Sequence, residues 1–190
     1  PSSIKKVGGS KMGLLVGEKI TARNLLKGLL ISSGNDAAIA LSEAVSGSSE
    51  AFTELMNQKN LDLGLEQTHF SDPAGTQDGN ISSAFEMAHL AKQVFKDGFL
   101  QSVMREKESI VSSVDGKIKH TLSNTNRLLG TDISGRIIAG KTGTTPIAKE
   151  CLIAFIGQAG NRTTMAILLG SQNRYGEMKD LIQWTDETYH

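Results

Sequence analysis

The 190-residue sequence predicts an α+β fold built on an antiparallel sheet. Three observations carry that prediction. Apolar residues recur at helical spacing through the first half of the chain. The pattern then changes to short, partly β-branched runs separated by turn residues. One more helical stretch closes the sequence.

The elements follow in order. "TARNLLKGLLI" opens on Thr21 as an N-cap and places Leu25, Leu26, Leu29 and Leu30 on one face. "SSGN" interrupts it, and "DAAIALSEAVSG" resumes a helix that stops at Gly47. "SSEAFTELMNQKNLDLG" reads as a third helix with Phe52, Leu55, Met56 and Leu63 inward and Gly64 as its stop. "HFSDPAGTQDGN" is loop by composition. "SSAFEMAHLAKQVFKDG" is a fourth helix with a serine cap. "ESIVSSVDGKIKHTL" reads as a hairpin turning at Asp115-Gly116. "RIIAGKTGT", "ECLIAFIGQAG" and "RTTMAILLGSQ" are three strands joined by turns at Pro146 and at "AGNR", and a helix follows near "YGEMKDLIQWTDETYH". No repeat or low-complexity linker divides the chain, so one domain over 1–190 is expected.

Composition excludes several classes. Lys plus Arg and Asp plus Glu both number 20, so the net charge is zero and nothing argues for nucleic acid or an acidic membrane surface. The single Cys151 rules out an internal disulfide and reads as a core residue of a strand. The four histidines, His69, His89, His120 and His190, lack metal-ligand spacing, so no metal and no cofactor are expected. His120 reads as a structural histidine, Asp36 as a helix cap and Trp184 as core. No apolar stretch reaches membrane-spanning length, and "PSSIKKVGGSK" has no apolar signal-peptide region. It also lacks an initiator Met, so a processed or truncated chain is expected.

Two short motifs carry chemistry together. Ser33-Gly34-Asn35 breaks two helices, and Lys141-Thr142-Gly143 lies on a strand before a meander. Alone, each is ordinary turn or strand-end composition. In this order they match two of the three active-site elements of penicillin-interacting serine enzymes. The match extends through "GGSKMGLLVGEKITARNLLKGLLISSGNDAAIALSEAVSG", "FTELMNQKNLDLGLEQTHFSDPAG", "NTNRLL" and "GKTGTTPIAKECLIAFI". Across essentially its whole length the chain resembles the D-alanyl-D-alanine carboxypeptidases, the low-molecular-mass penicillin-binding proteins.

The resemblance implies the serine β-lactamase/transpeptidase-like fold, truncated at its N-terminus. It implies a serine peptidase that trims D-Ala-D-Ala stem peptides of peptidoglycan through an acyl-enzyme, outside the cytoplasmic membrane, with β-lactams as inhibitors. Carried over, Ser33 relays a proton to the leaving amine, and Asn35 holds the substrate amide and the catalytic lysine. Lys141 keeps a positive charge that attracts the substrate carboxylate. Thr142 and Thr144 donate hydroxyl hydrogen bonds to that carboxylate. Gly143 lets the peptide approach the strand, and the N–H of Thr144 supplies an oxyanion donor. Asn126 and Arg127 fall where the family has residues near the cleft.

The family's nucleophile motif, Ser-x-x-Lys at the start of a buried helix, lies well upstream of Ser-x-Asn. The residues before Ser33 already match the stretch just preceding that motif, which leaves the nucleophile segment no room. The formal matches Ser2-Ser3-Ile4-Lys5 and Ser3-Ile4-Lys5-Lys6 are followed at once by Gly8-Gly9, which would stop a helix. The chain alone is therefore expected to be inactive. It is also expected to leave a sheet edge or apolar face for a missing N-terminal fragment or a second copy. Three alternatives stay open: an endopeptidase on cross-links, a class A-like β-lactamase, and an inactive peptidoglycan-binding module. The loop offers only Asp72 and Asp78 and no glutamate, which argues against the β-lactamase.

Overall fold

Thr21 starts the first helix: its side chain accepts the N–H of Asn24 at 3.2 Å, satisfying one of the donors a helix N-terminus leaves open. In this computed structural model, which describes residues 1–133, 136–158, 160 and 162–188, α1 runs Ala22–Ile31. It is followed by α2 (Asn35–Ser46), α3 (Ser49–Asp62), α4 (Ala84–Lys96) and α5 (Gly98–Met104). The strands are β1 (Glu108–Ser112), β2 (Lys119–Ser123), β3 (Arg136–Thr145), β4 (Lys149–Gly157) and β5 (Thr163–Ser171), and α6 (Arg174–Thr188) closes the chain. The α+β order expected from the sequence is the observed one.

Contacts divide the chain into two compact units. The first comprises Pro1–Glu86 and Glu106–Asn124. Its helices end where the glycines demand it, α2 at Gly47 (φ +83°) and α3 just before Gly64 (φ +68°). β1 and β2 pair antiparallel, Ile110 opposite Thr121, around the turn at Gly116 (φ +72°). Of the four residues expected inward on α3, Phe52, Met56 and Leu63 are partly buried and Leu55 is not. Leu55 is 53% exposed, and polar residues turn inward instead. Asn60 donates to Thr68 O, while Asn57 exchanges two hydrogen bonds with the backbone of Phe70. The inward face is thus set by the loop it must hold, whose backbone groups need partners.

The second unit comprises Met87–Arg105 and Thr125–His190. Its sheet has the order β3-β4-β5, antiparallel throughout, so among the described residues β3 and β5 are its edges. One face packs on α6 through Ile137, Leu152, Ala154, Ile156, Met178 and Ile182. Burying each large aliphatic side chain of this set contributes about 1.5–3 kcal/mol. On the other side, Phe155 of β4 stacks on Phe95 of α4 with ring centroids 3.8 Å apart.

Two sequence expectations fail in this unit. Trp184 is 53% exposed, because α6 buries Arg174, Met178 and Ile182 and the tryptophan lies two residues beyond that stripe. Cys151 is half-buried rather than core. It lies directly across from Gly143, two residue pairs from the turn of the β3–β4 hairpin. α5 is an element that the sequence pattern did not single out; Asp97 caps it by accepting the N–H groups of Phe99 and Leu100. Of the expected "AGNR" turn, Ala159 and Asn161 lie outside the described residues, as do Tyr189 and His190 at the chain end.

Candidate active site

In the first unit, the break between α1 and α2 is backbone-strained. Ser33 has φ +56°, a left-handed conformation that costs a side-chain-bearing residue energy. The break is built from both sides. Gly28 O accepts the N–H groups of Ser32 and Gly34, and a Cβ on Gly28 would overlap the sulfur of Met12. Asn35 begins α2 with its side chain committed: Nδ2 donates to Gly8 O at 2.8 Å, and its backbone N–H donates to Ser10 O at 2.8 Å. Gly9 (φ +71°) must be glycine, since a Cβ there would fall 2.8 Å from Asn35 Nδ2.

Asp36 does something other than cap the helix. Its buried carboxylate accepts the N–H groups of Met12, Gly13, Leu14 and Ala37, all at 2.9 Å. It therefore anchors the segment 12–14 beside Ser33-Gly34-Asn35. His120 is likewise structural. Its Nε2 lies 2.8 Å from Glu18 Oε1 with both side chains buried. Asp72 is taken up by its own loop: it accepts from the N–H groups of Ala74, Thr76 and Gln77 and from Asn80 Nδ2. Burial alone would raise its pKa, but these hydrogen bonds outweigh burial and hold it below the usual carboxylate value.

In the second unit, Lys141, Thr142, Gly143 and Thr144 fall together on the last turns of edge strand β3. A bulge between Ile137 and Ala139 and a close approach at Gly140 precede them; a Cβ at Gly140 would sit 2.5 Å from Ile153 O. Lys141 Nζ donates to Thr142 O at 2.7 Å. Burial, and then the positive charge of Arg174, push the Lys141 pKa down to about 8. The hydroxyls of Thr142 and Thr125 share a hydrogen bond of 2.6 Å, and Tyr175 Oη donates to Thr125 O.

The residue sequence reasoning missed is Arg174. It is 8% exposed, and Nη1 donates to Gly143 O at 2.8 Å and to Cys151 O at 3.1 Å. Nη2 donates to Thr144 Oγ1 at 2.6 Å and to Glu150 Oε1 at 3.3 Å. The Thr144 hydroxyl therefore already accepts a charged hydrogen bond, which leaves its own proton available to donate. Nothing in the local sequence pointed to an arginine 30 residues downstream. The chemical content of this strand end is two cations, three hydroxyls and an edge backbone.

Comparison with known proteins identifies the family. Residues 2–173 match the family model described as D-alanyl-D-alanine carboxypeptidase. The chain belongs to this family. It is 39% identical over 166 residues to D-alanyl-D-alanine carboxypeptidase DacF of Bacillus subtilis (strain 168), covering 87% of this chain and 42% of that protein. It is 36% identical over 173 residues to the D-alanyl-D-alanine carboxypeptidase of Streptomyces sp. (strain K15), covering 85% of this chain and 58% of that one. The chain thus spans about half the length of these family members. Among solved structures, the Streptomyces K15 DD-transpeptidase superposes with a TM-score of 0.82 at 30% identity, over 94% of this chain and 71% of that one. Among the described residues, no helix is long and apolar enough to cross a membrane.

Proposed function

We propose that this chain is the substrate-binding portion of a serine D-Ala-D-Ala carboxypeptidase acting on peptidoglycan stem peptides on the outer side of the cytoplasmic membrane. One observation carries the reading: edge strand β3 ends with Lys141, two threonine hydroxyls and the buried Arg174 guanidinium gathered at one place. An extended peptide pairs with the strand edge, and its terminal carboxylate is taken by the Thr144 and Thr142 hydroxyls under the field of Lys141 and Arg174. Gly143 leaves room for the peptide, and the N–H of Thr144 serves the oxyanion.

The strained Ser33 and the clamped Asn35 supply the other half. A serine of a Ser-x-x-Lys segment outside this sequence attacks the carbonyl carbon of the penultimate D-Ala. The C–N bond breaks, the terminal D-Ala amine leaves with a proton relayed by Ser33, and water later frees the acyl group. Asn35 orients the substrate amide. β-Lactams acylate the same serine. The upstream segment covers the β5 edge, where a groove of about 200 Å³ is lined by Ile156, Ala166, Leu181 and Ile182. The engagement of Asp72 by its own loop supports a peptidase over a β-lactamase that would need a free loop carboxylate.

Fluorescent penicillin tests the proposal. The 190-residue chain and a polypeptide extended through the upstream coding sequence are each incubated with the probe and resolved by denaturing electrophoresis. We expect a covalent band on the extended polypeptide alone, together with release of D-alanine from an acyl-D-Ala-D-Ala peptide. A band on the 190-residue chain, or none on either, overturns the reading.

A further inference from the structure

Glu150 sits at the corner where three elements meet. On β4 it pairs across to Thr144 of β3 and to Ser171 of β5, and α6 begins three residues after Ser171. Its carboxylate spans two donors of one residue. Oε2 accepts the backbone N–H of Arg174, the first residue of α6, at 3.0 Å, and Oε1 lies 3.3 Å from Nη2 of the same arginine. The residue before it, Lys149, holds φ +56°, so the hairpin adopts a conformation costly for a lysine immediately before it presents this carboxylate. The hydrogen bond from the Arg174 N–H holds the Glu150 carboxyl below its ordinary value, against the opposing effect of burial and with help from the guanidinium charge.

A long arginine has several rotamers, and ordering it costs entropy unless its surroundings fix it. Here Nη1 is fixed by the carbonyls of Gly143 and Cys151. The edge of the guanidinium that carries Nη2 is shared between Thr144 Oγ1 and Glu150. Glu150 is the one full negative charge among these partners.

We infer that Glu150 is a positioning residue that locks the Arg174 guanidinium against the end of β3 and so sets the preference of the site for peptides ending in a free carboxylate. The inference rests on the carboxypeptidase reading above for the identity of the peptide. Glu150 does not touch the substrate. It acts by fixing the direction in which Arg174 presents its charge, and its own charge tempers the pull of a site holding two cations. Without the carboxylate, Arg174 loses both its backbone anchor and its ionic partner.

The test uses the extended polypeptide with Glu150→Ala and Glu150→Gln, an acyl-D-Ala-D-Ala peptide and the C-terminal amide of that peptide. Loss of a charge-assisted hydrogen bond predicts that Glu150→Ala raises KM for the acid by about ten- to a hundredfold, with kcat changed far less and the KM for the amide unchanged. Glu150→Gln keeps an acceptor for the Arg174 N–H but loses the charge and the second acceptor that faces Nη2, so its KM for the acid should fall between those of the parent and Glu150→Ala. In parallel, the Nε–Hε resonance of Arg174 is followed by nuclear magnetic resonance. Its hydrogen exchange should quicken at least about tenfold in Glu150→Ala and less in Glu150→Gln. Equal losses on acid and amide, or an Arg174 resonance unmoved by Glu150→Ala, overturn the inference. If no polypeptide releases D-alanine, the carboxypeptidase reading falls, while the Arg174 resonance still decides the role of Glu150.

Discussion

At the scale of single residues, Lys141 makes the sharpest pH statement. Its folded pKa is about 8 against an ordinary 10.5, because burial and Arg174 disfavour the ammonium. Between those two values the unfolded chain binds more protons than the folded one, so this residue makes stability rise with pH through that window. The charge that attracts a carboxylate is lost over the same range. We expect KM for an acid-terminated peptide to climb as pH passes about 8, and initial-rate measurements from pH 6 to 10 check it; a flat KM to pH 10 refutes it. In the extended polypeptide, Lys141→Met should raise the thermal midpoint while abolishing penicillin labelling, the usual opposition between stability and a buried functional charge. Ser33 gives a second residue-scale prediction. Ser33→Gly and Ser33→Ala both remove the hydroxyl, but only glycine relieves φ +56°. The glycine variant should be more stable than the alanine variant by about 1 kcal/mol in urea denaturation. The sequence already marked both residues, through two tripeptides in the right order. Arg174 escaped notice because its meaning lies in a hydrogen bond to Thr144 that no local pattern encodes.

At the scale of elements, the chain was most legible where local chemistry decides. The Thr21 cap, the glycine stops of α2 and α3, the Ser83 hydroxyl that accepts the N–H of Glu86 in the first turn of α4, and the turn at Gly116 all follow from propensity. Legibility failed where tertiary partners override it. Asn57 and Asn60 turned α3 toward a loop's backbone and left Leu55 in solvent. The loop after α3 depends in the same way on one carboxylate, Asp72. Asp72→Ala should cost about 1–2 kcal/mol, since it removes the acceptor shared by three loop N–H groups and the Asn80 amide. Because the folded pKa of Asp72 is lowered, its contribution is present above the ordinary carboxylate range and fades as pH falls through the folded value. Acid titration of the two proteins should therefore converge at low pH, and parallel curves would refute the assignment. Packing rather than charge governs β3. Gly140→Ala would press a Cβ against Ile153 O, which cannot yield without moving β4, and a loss of about 1–3 kcal/mol is expected by calorimetry.

At the scale of the whole molecule, the sheet of the second unit sets the remaining expectation. β5 reads "TTMAILLGS", nearly all apolar or β-branched, yet among the described residues it pairs only with β4. Unpaired N–H and C=O groups along such a strand form a template for another strand, and soluble proteins ordinarily blunt it with charge, proline or a bulge. β5 carries neither a charged residue nor a proline. The bulge between Glu150 and Leu152 lies toward the end of its pairing with β4, leaving Leu168 to Thr163 in continuous register. Beside this edge lies the groove against α6, lined by Ala166, Leu181 and Ile182. An edge with an apolar groove beside it binds whatever extended apolar segment is present at sufficient concentration, and in a solution of the 190-residue chain that segment is another copy's β5. Sedimentation velocity should therefore show concentration-dependent self-association of this chain. Ala166→Lys, which sets a charge in the groove, should suppress it, and the extended polypeptide should remain monomeric because its own segment occupies the edge. A 190-residue chain that stays monomeric as concentration rises would mean that β5 is already protected, and the proposed seat of the upstream segment would have to move elsewhere.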